Sequence, residues 1–323
     1  MTITTPPAQV ERDRWGRPLV IPPGGGKPVP YRRCTTFIDV LDDRFALERW
    51  KQRQVAIGLA ARHDLVLKAA SAAGDKRILD EVVEAATEAA GASMAATTGS
   101  AVHALTEQID RGQTPVIPPG VQADIDAYVE ATAGLRMAEI EVFVVDDTLK
   151  VGGTFDRIVE HAGRRYVADI KTGNVDYNQG KIAMQLAVYA GSQRYDPATG
   201  EREPLHVDQD WGLVIHLPAG AGKCTVWWVN LADGRIGVDI ARRVWAWRDT
   251  RHDFARQYIP LLQQIRQADS VDVLHHLWAR YQHVWTDELT AAAAARKEEL
   301  GAAARSSATA EAQVQAQAEG TTT

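Results

Sequence analysis

Apolar and polar positions follow three different rhythms along the chain. From Thr35 to about Gly134 the apolar residues recur every three or four positions, as in Phe37, Leu41 and Phe45, then Ile78 and Val82, then Val102, Leu105 and Ile109. That spacing, broken by turn signals, predicts an all-helical region. Between about Ile140 and Leu231 the rhythm changes to the alternation of strands: IEVFVV, LKVGGTFDRIVEH, RRYVADIKT, WGLVIHL and CTVWWVNL, with one helix over 178–194. Helices return over about 236–266 and around 270–290. Residues 1–34 are rich in Pro and Gly and carry no sustained period, which predicts an extended arm. The last segment is Ala, Glu, Gln, Thr and Ser, with AAAAARKEEL suited to a helix and an end expected to be disordered. The organisation expected is an arm over 1–34 and a single domain over 35–290. Within that domain lie a helical part (35–135), an α/β core (136–235) and C-terminal helices (236–290), followed by a low-complexity tail over 291–323. There is no internal repeat.

One strand breaks its own pattern. VADIKT places Asp169 and Lys171 on one face and Ala168 and Ile170 on the other, because alternate strand residues share a face. The connection EHAGRR reads as a hairpin turn around Ala162 and Gly163. A register symmetric about that turn pairs residues whose numbers sum to 325 and sets Asp156 across from Asp169. Two like charges facing each other across an antiparallel pair destabilise it. A divalent cation would compensate, since carboxylate oxygens suit Mg²⁺ and Mn²⁺. The alternative is a surface hairpin with solvated acids and an Asp169–Lys171 pair.

Three further features fall at spacings that aim polar groups toward the same hairpin. His103 lies at the edge of the Val102, Leu105 and Ile109 stripe with Glu107 a turn further on, although a His there also suits a half-buried core position. Lys181, Gln185 and Tyr189 share one face of the following helix, where a plain surface hydrogen bond is the simpler reading. The strand before the hairpin offers Glu139 and Glu141, which ordinary solvent-facing alternation also explains.

Composition narrows the setting. The 323 residues are 45% hydrophobic, enough for a proper core. Cys34 and Cys224 are the only cysteines, too few for a disulfide framework or a four-cysteine iron–sulfur site, and a reducing cytoplasmic setting is expected. No stretch approaches the roughly 20 apolar residues of a membrane span, and the N-terminus lacks a signal-peptide core. GGGK is followed by Pro28, so it does not match a phosphate-binding loop. A net charge of −6 requires any polyanion to be met by a local basic patch. Candidates are Arg157, Arg164, Arg165, Lys181 and Arg194 near the hairpin and Arg242, Arg243, Arg248, Arg251 and Arg256 later, a solvated helix face being the simpler reading for the later series. Trp227, Trp228, Trp245 and Trp247 offer base stacking, but core packing is expected for most of them.

Taken in order, Gly99-x-x-x-His103, Gly153-Thr-Phe-Asp156, Asp169-Ile-Lys171-Thr172 and Gln185-x-x-x-Tyr189 resemble the motif series of the PD-(D/E)XK nucleases. The likeness is to the RecB-like branch that includes the CRISPR-adaptation exonucleases and phage recombination exonucleases. It covers roughly residues 97–190. The chain departs from the iron–sulfur members in lacking their four cysteines, so the phage-type members without a cluster are the nearer comparison, and Asp169 stands where many members carry Glu. The resemblance implies a restriction-endonuclease-like α/β core with a mixed central sheet flanked by helices. It implies a Mg²⁺- or Mn²⁺-dependent deoxyribonuclease, an exonuclease acting on DNA ends or single strands in phage replication or recombination and leaving 5′-phosphates. His103, Asp156, Asp169 and the backbone carbonyl of Ile170 would be the metal ligands. Lys171 would orient the attacking water, and Gln185 and Tyr189 would hold the DNA strand or Lys171. Glu107 and Glu141 would be optional outer acids. DNA, and a recombination or single-strand-annealing protein, are the implied partners. A flap- or branch-cutting endonuclease and a catalytically silent DNA-binding adaptor are the other readings of the same motifs.

Overall fold

Three short strands open the chain: β1 (Leu19–Val20), β2 (Val29–Pro30) and β3 (Arg32–Arg33). The computed structural model describes residues 10–72, 74–176, 178–250 and 258–319. Its contacts divide the chain into two units, Met1–Asp249 and Thr250–Thr323. The described part of the segment expected to be an extended arm, from residue 10, is folded: β1 pairs with β2, and Val20 and Tyr31 are buried beside Phe143, Val145 and Tyr195.

Helices follow as the three-to-four spacing predicts: α1 (Cys34–Ile38), α2 (Phe45–Ala61), α3 (His63–Ser71), α4 (Lys76–Ala89), α5 (Ala92–Asp110) and α6 (Gln122–Thr132). Asp75 caps α4 by accepting the N–H groups of Arg77 and Ile78. The apolar positions do not all serve a core. Val82 and Val102 are buried, whereas Phe45 is 73% exposed.

The strands β4 (Arg136–Asp146), β5 (Val151–His161) and β6 (Arg164–Lys171) come next, then α7 (Gln179–Gly191). Two short strands absent from the alternation pattern, β7 (Gln193–Tyr195) and β8 (Arg202–Pro204), precede β9 (Trp211–His216), β10 (Thr225–Asn230) and α8 (Leu231–Asp249). They form an eight-stranded mixed sheet in the order β10-β9-β6-β5-β4-β7-β8, with β3 added alongside β5. β3 with β5 and β6 with β9 are parallel, and the remaining pairs are antiparallel. This is a mixed α/β architecture consistent with the PD-(D/E)XK nuclease fold. The main core lies between one sheet face and α1, α7 and α8, where Phe155, Val167, Val214, Leu186 and Leu231 meet.

The hairpin register is the one the turn predicts. Arg157 opposes Ala168 and His161 opposes Arg164, each pair summing to 325. Ala162 and Gly163 both have positive φ, 50° and 76°, the requirement of a two-residue turn whose twist matches its strands.

In the second unit, α9 (Leu261–Gln267), α10 (Val271–Tyr281) and α11 (Asp287–Glu319) bury Ile265, Ala268, Leu274 and Leu277 against one another. The helices expected over 236–290 are thus divided, α8 belonging to the first unit and α9 and α10 to the second. The AAAAARKEEL stretch is helical as expected, within an α11 that is described to Glu319 and suits the high helix propensity of Ala, Glu and Gln. Residues 320–323 lie outside the described residues, as do Arg251 and Arg256.

Candidate active site

The site forms where β5 changes partner. Val151 and Gly152 pair with β3 on one side, and from Arg157 onward that side is taken by β6. Between those stretches β5 has no ladder neighbour there, and its alternation slips: Phe155 and Ile158, three residues apart, both pack into the core cluster under α7. The neighbouring strand is irregular at the same level. β4 shifts register between Met137 and Glu139, and Glu141 takes φ 54° in mid-strand. A non-glycine residue held in the left-handed region costs of order 1–3 kcal/mol, and such strain collects at functional sites.

Into this gap project an imidazole and two acids. His103 on α5 has Nε2 3.2 Å from Glu141 Oε1 and 3.6 Å from Asp156 Oδ1. One ligand atom from each of His103, Glu141 and Asp156 lies within 4.8 Å of the others. The Asp156 Oδ2 accepts the backbone N–H of Ile170 at 2.6 Å, tying β5 to β6 through a side chain where the ladder has stopped. Burial, then the nearby charge of Asp169, push Asp156 up to about 7. The His103 imidazole is raised by its hydrogen bond with Glu141 and the charges of Asp156 and Glu141, against the effect of burial.

Asp169 and Lys171 share a face as expected, and they pair with each other. Lys171 Nζ is 2.5 Å from Asp169 Oδ2 and donates to Gln185 Oε1 at 2.9 Å. Gln185 Nε2 in turn reaches Asp169 Oδ1 and the Tyr189 hydroxyl, each at 3.4 Å. Asp169 is 4% exposed and its Oδ2, ion-paired with Lys171, has no hydrogen-bond partner. A nearly buried pair of acids, one of them lifted toward neutrality by burial and by its acidic neighbours, beside an imidazole fits a divalent cation. The donors available are two or three carboxylates and one imidazole, a set suited to Mg²⁺ or Mn²⁺.

Close approaches hold these groups in register. A Cβ on Gly99 would lie 2.5 Å from Thr172 Oγ1, so any larger residue on α5 would force the Thr172 side chain at the end of β6 to turn away. A Cβ on Gly153 would lie 3.0 Å from the Tyr189 ring.

Several expectations need correcting. Glu141, expected as an optional outer acid, belongs to the central cluster, while Glu107 pairs with Arg111 at 2.8 Å. Arg157 is fully buried and is no DNA contact: its Nε meets Asp110 Oδ2 at 2.6 Å and its Nη1 donates to the Asp156 carbonyl at 2.8 Å. The Tyr128 hydroxyl donates to the same Asp110 oxygen at 2.6 Å. Neither Asp110 nor Tyr128 stood out in sequence, although Asp110 lies two helical turns beyond His103 on α5. Arg165 and Arg194 both pair with Glu139, and Lys181 pairs with Asp39 and Asp42. Tyr189 is 2% exposed and reaches Gln185, which in turn accepts from Lys171, so of its two expected roles the geometry carries the one toward the lysine. Trp227, Trp228 and Trp247, expected mostly in the core, are 38%, 50% and 60% exposed, whereas Trp245 packs on the core and donates to the Phe37 carbonyl.

A strained sheet gap presenting carboxylates, an imidazole and an ammonium together offers the donor set of a divalent-metal site on an α/β fold. The model of the PD-(D/E)XK nuclease superfamily matches residues 58–197, which run from the C-terminal end of α2 through β7 and contain every residue of the site. No curated protein matches the chain.

Proposed function

We propose that the protein is a divalent-metal-dependent deoxyribonuclease, an exonuclease acting on DNA ends or single strands in phage replication or recombination. The observation that carries the reading is the convergence of His103, Glu141 and Asp156 within 4.8 Å, next to the Asp169–Lys171 pair. The superfamily match over residues 58–197 supports the nuclease class. The exonuclease assignment rests on the resemblance of the motif order to phage-type exonucleases that carry no iron–sulfur cluster.

His103, Glu141, Asp156 and Asp169 would hold Mg²⁺ or Mn²⁺, with the Ile170 carbonyl as a further oxygen. A bound divalent ion supplies charge neutralisation at the scissile phosphate and a water of lowered pKa. Lys171, gripped by Asp169 and Gln185, presents a compact cationic donor that orients the attacking water and stabilises the negative charge growing on the phosphate. Gln185 fixes that ammonium, and Tyr189 fixes Gln185 from behind. The reading includes DNA as substrate, a single-strand-annealing protein as partner and the cytoplasm as setting. Among the described residues no helix is long and apolar enough to cross a membrane.

The test is incubation of linear and circular DNA, single- and double-stranded and separately labelled at the 5′ and 3′ ends, with Mg²⁺, Mn²⁺ or EDTA. Metal-dependent release of labelled nucleotides from linear DNA alone is expected. Cleavage of circles would replace the exonuclease with an endonuclease. Activity that persists in EDTA would remove the metal mechanism, and no activity on any substrate would leave a DNA-binding adaptor.

A further inference from the structure

Two strands beyond the acids, the same sheet face opens into a cavity. Asp169 pairs with Val214, and Val214 pairs with Trp227, so the three stand on one rung of β6, β9 and β10. Strands lie about 4.8 Å apart, which places Trp227 about 10 Å from Asp169 across the sheet. Alternation turns Asp169, Val214 and Trp227 to the same side, toward α7. There a cavity of about 320 Å³ is lined by Trp227, Gln179, Gly180, Ile182, Asn230 and Asp233. Its size lies within the range of ligand pockets, and its wall is mainly apolar with a few polar groups.

The lining has the chemistry of a base and not of a phosphate. Trp227 is 38% exposed, with its indole N–H donated to Thr225 Oγ1 and its ring in a T-shaped contact with His216 at 6.2 Å, which fixes the ring and leaves its exposed part to the cavity. Gln179 makes no side-chain hydrogen bond among the described residues, and neither does the Asp233 carboxylate, which also has no ion pair there. No lysine or arginine lines the cavity. A carboxylate repels phosphate but accepts from an exocyclic amino group, as acidic side chains do toward cytosine N4. Aromatic stacking on a rigid indole tolerates any base.

We infer that this cavity receives an unstacked nucleobase of a single strand whose phosphate lies at the acids, and that Asp233 favours bases carrying an exocyclic amine over thymine. The inference rests on the nuclease reading for its substrate and extends it by assigning a single-stranded segment to one side of the site. A base inside a duplex is stacked and cannot enter.

The full chain in EDTA, where cleavage is suppressed, is titrated into roughly 15-nucleotide dC and dT single strands and a blunt duplex, each fluorescein-labelled, by anisotropy. Trp227→Ala is expected to weaken single-strand binding by roughly tenfold to a hundredfold while leaving the duplex unchanged. Gly180→Leu fills the cavity from α7, where an added Cβ meets nothing within 4 Å, so it should fold normally and lose the same binding. Asp233→Asn should erase a preference for dC over dT. Parent-like single-strand binding by both Trp227→Ala and Gly180→Leu overturns the inference, as does a parent protein that binds no single strand. Cleavage by the parent in Mg²⁺ or Mn²⁺ is measured alongside. Trp227-dependent binding without cleavage would sink the nuclease reading and keep the pocket, whereas cleavage with Trp227-independent binding would sink the pocket alone.

Discussion

The backbone N–H of Ile170 donates to the Asp156 carboxylate at 2.6 Å, closing with a side chain the gap that the strand ladder leaves beyond Arg157 and Ala168. Asp156 is thereby held where the charge of Asp169 acts on it, so without a cation the two acids repel each other. Its carboxyl sits at about 7 instead of 3.8, so the folded state favours the protonated form. The stability this gives is complete below about pH 4 and is lost as pH rises through about 7. His103, also raised above its ordinary value, adds a loss of the same sign at higher pH. The melting temperature of the protein in EDTA should therefore fall between pH 4 and 8. A saturating divalent ion should restore it, by about 2.7 kcal/mol at a hundred times its Kd, and the gap between the two curves should widen with pH. Asp156→Asn should flatten the EDTA curve and abolish the metal effect. A variant that retains both would show that the strain lies elsewhere.

Lys171 is held by two partners, Asp169 at 2.5 Å and Gln185 at 2.9 Å, so its ammonium has a fixed position. Lys171→Ala should lower the single-turnover cleavage rate by about a hundredfold to a thousandfold, the usual cost of removing one donor from a developing anion. The metal-induced rise in melting temperature should survive. Lys171→Arg should not rescue the rate, because a planar fork cannot occupy the place of a point donor. Gln185→Ala should lower the rate less, with KM unchanged. Cleavage by Lys171→Ala within a few-fold of the parent would remove this lysine from the chemistry.

The five main strands, the hairpin register and the shared face of Asp169 and Lys171 were legible in sequence because they follow from period-two alternation and a two-residue turn. The exchange of roles between Glu141 and Glu107 was not. Glu107 lies one turn from His103, the spacing that helix geometry favours, but Arg111 is one turn further and takes it. Glu141 reaches His103 only because β4 is irregular, and an irregularity at a residue with no glycine or proline leaves no local signal. The burial of Arg157 was hidden for a related reason. An arginine one residue after a candidate ligand looks like a phosphate contact until Asp110, 47 positions away, is known to face it. Trp227 and Trp228 were misjudged because β10 is an edge strand, and nothing in its own residues tells an edge from a centre.

The Arg157–Asp110 pair lies behind the cluster and sets its backbone, since Arg157 also grips the Asp156 carbonyl. Asp110→Ala would strand a fully buried guanidinium whose Nη2 already lacks a partner. Loss of one member of such a pair costs about 3–5 kcal/mol. Urea unfolding of Asp110→Ala should show a loss of that order. The double variant Asp110→Leu with Arg157→Met should recover much of it, because removing both charges also removes the desolvation cost. Metal affinity should stay reduced in the double variant, as the Asp156 carbonyl loses the Arg157 anchor. A single variant as stable as the parent would mean that the pair is open to water in solution.

Glu141 allows strain and ligation to be measured separately. Its φ of 54° is costly for any residue with a side chain, by of order 1–3 kcal/mol, and its carboxylate stands in a cluster already crowded with negative charge. Glu141→Gly removes both burdens, offset by roughly 0.5–1 kcal/mol of extra backbone entropy lost on folding. Glu141→Gln removes the charge and keeps the backbone strain. In EDTA the melting temperatures should rank Gly above Gln and Gln above the parent, and neither variant should be stabilised by Mg²⁺ or Mn²⁺ to the parent's extent. If Gly and Gln melt together, the left-handed backbone carries no cost and repulsion alone destabilises the site. If Glu141→Gln keeps the parent's full response to metal, then Glu141 is no ligand, and the cation is held by His103, Asp156 and Asp169 without it.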